Sequence, residues 1–216
     1  MQHWLETYPL HRMPVEPEGF RLFTEETPSS YPQSIAYKAA QIADPKRADR
    51  YLRSLRAASI AQARPTGKQE VLLQLAEEAG IDIGAFQQAL QSGAAEKAFQ
   101  TDLGITQAMG ADVFPTFQLK SSTARQVWMR GYNTREDFEK VFAQLTDSHL
   151  NPLPSPPDTD ILDWLLERFG NQSPEEIYQA FDFESREQAH AWTEDLIKQG
   201  KYRKQNAGQS YFLLPA

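Results

Sequence analysis

The chain of 216 residues is 40% hydrophobic and 24% charged, with a formal charge of −7 and a pI near 5.2, the profile of a globular protein with room for one sizeable core or two small ones. Its negative field opposes phosphate backbones and anionic lipid, so nucleic acid is not expected as a main partner. None of these residues is cysteine, which rules out thiolate nucleophiles, disulfides and cysteine-based zinc sites within them.

Apolar runs are short and interrupted by Arg, Glu or Gln, well below the about twenty residues that span a bilayer. The opening Met1-Gln2-His3-Trp4-Leu5-Glu6 lacks the basic start and apolar run of a secretory signal, and a cytoplasmic location is expected. His3, His11, His149 and His190 contain no i, i+4 pair, so neither a metal site nor a cofactor is expected.

From Met1 to Tyr31, Pro, Glu and Thr dominate among scattered aromatics (Trp4, Tyr8, Phe20, Phe23), which predicts an ordered, irregular lead-in. Ser30-Tyr31-Pro32 supplies a cap and an early-turn proline for a helix carrying Ile35, Ala36, Ala39, Ala40 and Ile42 on one face. A second helix is predicted over 46–63, with Tyr51, Leu52, Leu55, Ala58 and Ile60 inward and Arg47, Arg50, Arg53 and Arg56 mostly outward. Helices follow over 69–79, 82–90 (capped by Asp82) and 94–109, each closed by a glycine or Ser-Gly break. The pattern then changes to strands near Val113–Leu119 and Arg125–Gly131, predicted to pair antiparallel. Thr134-x-x-Asp137 predicts a capping box for a helix carrying Phe138, Val141, Phe142 and Leu145. The apolar stripes of the 94–109 and 135–146 helices are expected to face a core.

Pro152, Pro154, Pro156 and Pro157 predict a stiff linker over 148–158, between a first domain at 1–147 and a second at 159–216. The second reads as three helices and a terminal β-hairpin, like a winged-helix module. Its expected core is Leu162, Trp164, Leu165, Phe169, Ile177, Tyr178, Trp192, Leu196 and Phe212. From Thr159 onward ten acids face six bases, which favours packing or protein recognition over DNA reading. Thr66-Gly67-Lys68 lacks the earlier glycine and preceding strand of a phosphate loop and reads as a turn.

The succession of helices, a Phe-Pro-Thr strand, a second strand and a final helix resembles the DsbA family, in which a helical insertion interrupts a thioredoxin fold. Met13-Pro14-Val15, Ser29-Ser30-Tyr31-Pro32, Ile35-Ala36-Tyr37-Lys38-Ala39-Ala40, Tyr51-Leu52-Arg53-Ser54-Leu55-Arg56 and Ala98-Phe99-Gln100-Thr101-Asp102-Leu103 are similar to the FrnE-like branch and to the YjbH adaptors of the ClpXP protease. The similarity covers roughly Trp4 to Leu145. It implies an opening strand, a Cys-x-x-Cys helix and a second strand ahead of the helical insertion, and nothing here occupies that place. The chain could begin at an internal methionine of a longer protein, be a natural truncation, or be a divergent relative that closes its sheet differently. The first is favoured, since an isolated two-stranded hairpin is marginal in water and presents open edges. The expected fold class is α/β: a partial DsbA-like thioredoxin fold with a helical insertion, plus a small C-terminal winged-helix-like α+β domain.

Phe114-Pro115-Thr116 matches the family's proline loop. The cis form of an X-Pro bond costs only about 0.5–1 kcal/mol, and the resemblance implies a cis Phe114–Pro115 bond with the loop lining a groove for an extended peptide, as a short strand addition. The competing reading is a trans Pro115 that simply starts a strand. No catalytic residue is assigned, because dithiol exchange needs a thiolate. The resemblance thus implies a thiol–disulfide oxidoreductase or isomerase platform, catalytically incomplete as written; the alternative is a non-catalytic adaptor similar to YjbH. Either way protein or peptide clients are the expected partners, no membrane is involved, and the oligomeric state stays open.

Overall fold

The computed structural model describes residues 6, 8–9, 11–19, 23–25, 27–148 and 155–216. Expectations resting on His3, Trp4, Phe20, His149, Pro152 and Pro154 lie outside them. The chain forms two compact units, one from Met1–Phe99 with Pro154–Ala216 and the other from Gln100–Leu153.

In the larger unit, α1 (Tyr31–Ala43) starts on Pro32, and α2 (Ala48–Arg56) runs into a π-helical turn at Ala57–Ala61. These are followed by α3 (Gln69–Glu78), α4 (Ile83–Gln91) and the start of α5 (Ala94–Ala108). The Asp82 carboxylate caps α4 by accepting from the Ala85 N–H at 2.7 Å, satisfying a donor the helix cannot use internally. Ala36, Ala39 and Ala40 are fully buried on one face of α1, and their small side chains let its neighbours approach closely, whereas Ile42, expected on that face, is exposed near the end of the helix. Tyr51 and Phe86 are also fully buried, with ring centroids 5.6 Å apart.

The single helix predicted over 46–63 is interrupted by the π-turn, where the Gln62 N–H bonds the Ala57 carbonyl at 3.1 Å. Tertiary partners compete for this stretch: the Ile60 carbonyl accepts from Glu16 N–H at 2.8 Å and the Ala58 carbonyl from Arg64 N–H at 2.8 Å. Ser59 Oγ bonds the Leu55 carbonyl at 2.8 Å and lies 2.8 Å from Thr66 Oγ1. A regular ladder cannot serve those partners at once, so the helix widens locally.

The same unit includes α7 (Thr159–Phe169), α8 (Pro174–Ala180), α9 (Arg186–Lys198) and a hairpin of β3 (Tyr202–Ala207) and β4 (Ser210–Pro215), a winged-helix-like arrangement. The strands pair antiparallel from Tyr202↔Pro215 to Ala207↔Ser210. Asp158 caps α7, a Ser173–Glu176 capping box opens α8, and Ser185 caps α9. The core is Leu162, Leu166, Ile177, Phe181, Leu196, Tyr202 and Leu213, with Leu165 and Trp192 partly buried against it.

Four members of the expected core lie elsewhere; one of them, Tyr178, is half-buried with the Arg186 guanidinium 4.6 Å from its ring centroid. Trp164 is 54% exposed and Phe169 37% exposed. Trp164 sits two residues, about 200° of helix rotation, from the inward Leu162; Phe169 is the last residue of α7 and stacks edge-on with Trp164 at 5.8 Å. Phe212 is buried against Ala57, Ala61 and Ala207, because strand neighbours alternate and Leu213 takes the inward position. Above it the Arg53 guanidinium lies 5.5 Å from the Phe212 ring, holds the Glu176 carboxylate and donates to the Asn171 carbonyl at 2.9 Å.

Glu175 of α8 illustrates how this module titrates. Burial pushes its carboxyl up, but hydrogen bonds from Arg186 (2.7 and 2.9 Å) and Gln179 (2.9 Å) outweigh it, and the net effect is a carboxyl below the ordinary glutamate range. A depressed folded value contributes stability above the unfolded value and loses it as pH falls through the folded one. Glu175→Gln is therefore expected to remove part of the acid-side fall in melting temperature, and an unchanged profile would contradict the assignment.

The smaller unit contains the rest of α5, strands β1 (Thr116–Lys120) and β2 (Gln126–Arg130), and α6 (Arg135–Thr146) behind a Thr134–Asp137 capping box. No helix among the described residues is long and apolar enough to cross a membrane.

Candidate functional site

β1 and β2 pair antiparallel with Thr116 opposite Arg130 and Lys120 opposite Gln126. The Gly131 N–H bonds the Pro115 carbonyl at 2.8 Å and the Ser121 N–H bonds the Arg125 carbonyl at 2.9 Å, so odd-numbered residues of β1 form the hydrogen-bonded pairs. In such a ladder the alternate residues aim their N–H and C=O groups the other way. Thr116, Gln118 and Lys120 thus present their main chain to the outer edge of β1. No strand covers that edge among the described residues.

The proline loop sits at the head of this edge. The Phe114–Pro115 bond is cis, the Phe114 side chain is 74% exposed, and Thr116 Oγ1 donates to the Val113 carbonyl. Arg130 fixes the approach to the loop by donating to the Gly110 carbonyl at 3.0 Å and pairing with Asp112 at 2.9 Å. At the far end, Arg125 bonds the Gln144 carbonyl at 2.9 Å and Asp147 at 2.7 Å, holding the Asp147 carboxyl below its ordinary range. Phe138 of α6 meets Phe117 edge-on at 5.1 Å, which supports the strand from one face.

Of the helical stripes expected to face a core, that of α6 keeps Leu145 buried and Phe138, Val141 and Phe142 half-buried, whereas the end of α5 leaves its apolar residues exposed. Among the described residues of this unit only Met129 and Leu145 are buried hydrophobics, whereas Ile105, Met109, Val113, Phe114, Phe117, Trp128 and Tyr132 are exposed. Two strands with one capped helix offer too little surface to cover them. Tyr132, 74% exposed like Phe114, was missed by sequence reasoning; its only signal was a large aromatic directly after the strand-ending Gly131. Among the described residues no group of three or more His, Cys, Asp or Glu is placed to hold a metal ion. No residue of the chain can supply a thiolate.

Comparison with known proteins agrees with this architecture. The thioredoxin family model matches residues 5–136. The ClpXP adapter protein SpxH of Shouchella clausii is 31% identical over 157 residues, 73% of this chain and 52% of that protein. SpxH of Halalkalibacterium halodurans is 38% identical over 89 residues, 41% of this chain and 29% of the relative. The chain thus spans about half the length, or less, of these curated relatives. Among solved structures, a candidate protein disulfide isomerase from Nitrosomonas europaea superposes with a TM-score of 0.57 at 18% identity, covering 66% of this chain and 70% of that one, which shows the shared fold. With the family match spanning well over half of its residues, the chain belongs to the thioredoxin family.

Proposed function

We propose that this chain works by protein recognition without thiol chemistry: an extended peptide segment adds to the outer edge of β1 beside Phe114-Pro115-Thr116, in the manner of a cytoplasmic adaptor that holds a client protein. The observation that carries this reading is the exposed Phe114 (74%) at the head of a strand whose Thr116, Gln118 and Lys120 main-chain groups face outward. Strand addition gives affinity through those groups and selectivity through side-chain contacts such as Phe114. The name of the SpxH relatives, ClpXP adapter protein, supports the same reading.

The test is a titration of the full chain with a labelled, extended, apolar peptide. Removing a large contact side chain costs about 1–2 kcal/mol, so Phe114→Ala is expected to weaken binding about tenfold. Unchanged affinity in that variant would remove the loop from the site. DNA reading by the winged-helix-like module is the weaker alternative, because its acids outnumber its bases and three of its six bases are matched: Arg186 pairs with Glu175, Lys198 with Asp195 and Lys204 with Glu194.

A further inference from the structure

The larger unit carries a concentration of positive charge at odds with the acidic chain around it. A cleft of about 370 Å³ between the start of α2 and the end of α7 is lined by Lys46, Arg47, Arg50, Trp164, Glu167 and Arg168. Four cations thus face one carboxylate, in a protein whose formal charge is −7.

The neutralisation pattern along α2 is selective. Arg47 donates to the Gly80 carbonyl at 2.6 Å and lies 3.5 Å from Asp44, and Arg53 is held by Glu176. Arg50, between them, has neither an ion pair nor a side-chain hydrogen bond among the described residues, and the same is true of Lys46 and Arg168. Arg50 is nonetheless positioned: a Cβ built on Gly170, at the end of α7, would lie 3.8 Å from its Cγ. Arg168 lies over the Phe169 ring at 5.6 Å, and Phe169 meets Trp164 edge-on. The result is a row of uncompensated cations beside an indole that is 54% exposed.

We propose that this cleft is a second recognition site, which takes an acidic peptide segment: two or more Asp or Glu side chains for Lys46, Arg50 and Arg168, next to an apolar residue lying on Trp164. Charge complementarity selects an anion, since like charges held together are relieved by carboxylates brought from outside. The exposed indole selects a ligand with an apolar part, which free phosphate lacks. The field of the whole chain works against a long polyanion such as nucleic acid, whereas a short acidic segment spans only the cleft. The choice of a peptide rests on the protein-recognition reading above; the charge cluster itself does not depend on the proline loop.

The experiment uses the full chain and a labelled peptide of alternating Glu and Leu, with its Gln isostere, inorganic phosphate and duplex DNA as competitors, and the neutral extended peptide titrated in parallel. Saturable binding of the acidic peptide is expected, weakened about tenfold or more by the double variant Arg50→Glu/Arg168→Glu and by raising salt from about 0.05 M to about 0.5 M. If the charge-reversed chain does not fold, Arg50→Gln/Arg168→Gln is expected to show a smaller loss in the same direction. Failure of the acidic peptide to bind, equal binding of the Gln isostere, an unchanged affinity in both variants, or tighter binding of phosphate or DNA would overturn the proposal. Binding of the neutral peptide alone would overturn the cleft and leave the β1 edge standing, while loss of both would overturn protein recognition itself.

Discussion

Phe86→Ala is expected to cost about 3–5 kcal/mol of folding stability, a fifth or more of the about 5–15 kcal/mol that folded proteins possess. Phe86 is fully buried on α4 with its ring centroid 5.6 Å from that of Tyr51, another fully buried aromatic. Truncation removes the ring's transfer free energy and leaves a cavity walled by helices. Those walls cannot close fully, because α1 already meets its neighbours through Ala36, Ala39 and Ala40, which have no bulk left to rearrange. Urea unfolding of the variant measures this directly, and a loss below about 1 kcal/mol would mean that the site collapses freely.

Gly208→Ala is expected to be the most damaging single-methyl change, at about 2–4 kcal/mol. Gly208 turns the terminal hairpin with φ +54°, a left-handed conformation that alanine adopts at a cost. A Cβ there would lie 1.8 Å from the Val15 carbonyl oxygen, a backbone atom that no rotamer change can move. The Val15 segment is itself held, since the next residue, Glu16, bonds Ile60 in the π-turn. Relief therefore requires the hairpin to lift away, exposing Phe212 where it is buried against Ala57 and Ala61. A lowered unfolding midpoint with faster proteolysis at the hairpin is expected, and wild-type stability would contradict the close approach.

Much of this fold is legible in the sequence because its determinants are local. Asp82, the Thr134–Asp137 box and the Ser173–Glu176 box each mark a helix start through a hydrogen bond made within four residues, and Pro32 marks one through its fixed backbone angle. The Phe114–Pro115 loop and the antiparallel pairing after it are equally local. What escapes is set by distant partners. The π-turn follows from what Glu16 and Thr66 offer to α2, and Phe212 leaves the expected core because Ala57 and Ala61 provide another surface. The exposure of Ile105 and Met109 could not be read from helical spacing, which marks an apolar face without saying whether anything covers it. The cationic cleft is invisible for the same reason: Arg50 and Arg168 meet only once α2 and α7 are folded.

The most direct test of the account is amide hydrogen exchange on the full chain with and without a saturating extended peptide. Strand addition at the outer edge of β1 predicts new protection at the N–H groups of Thr116, Gln118 and Lys120, with Phe117 and Leu119, already paired to β2, changing little. Protection confined to other elements, with those three amides exchanging as in the free chain, would contradict recognition at the proline-loop edge.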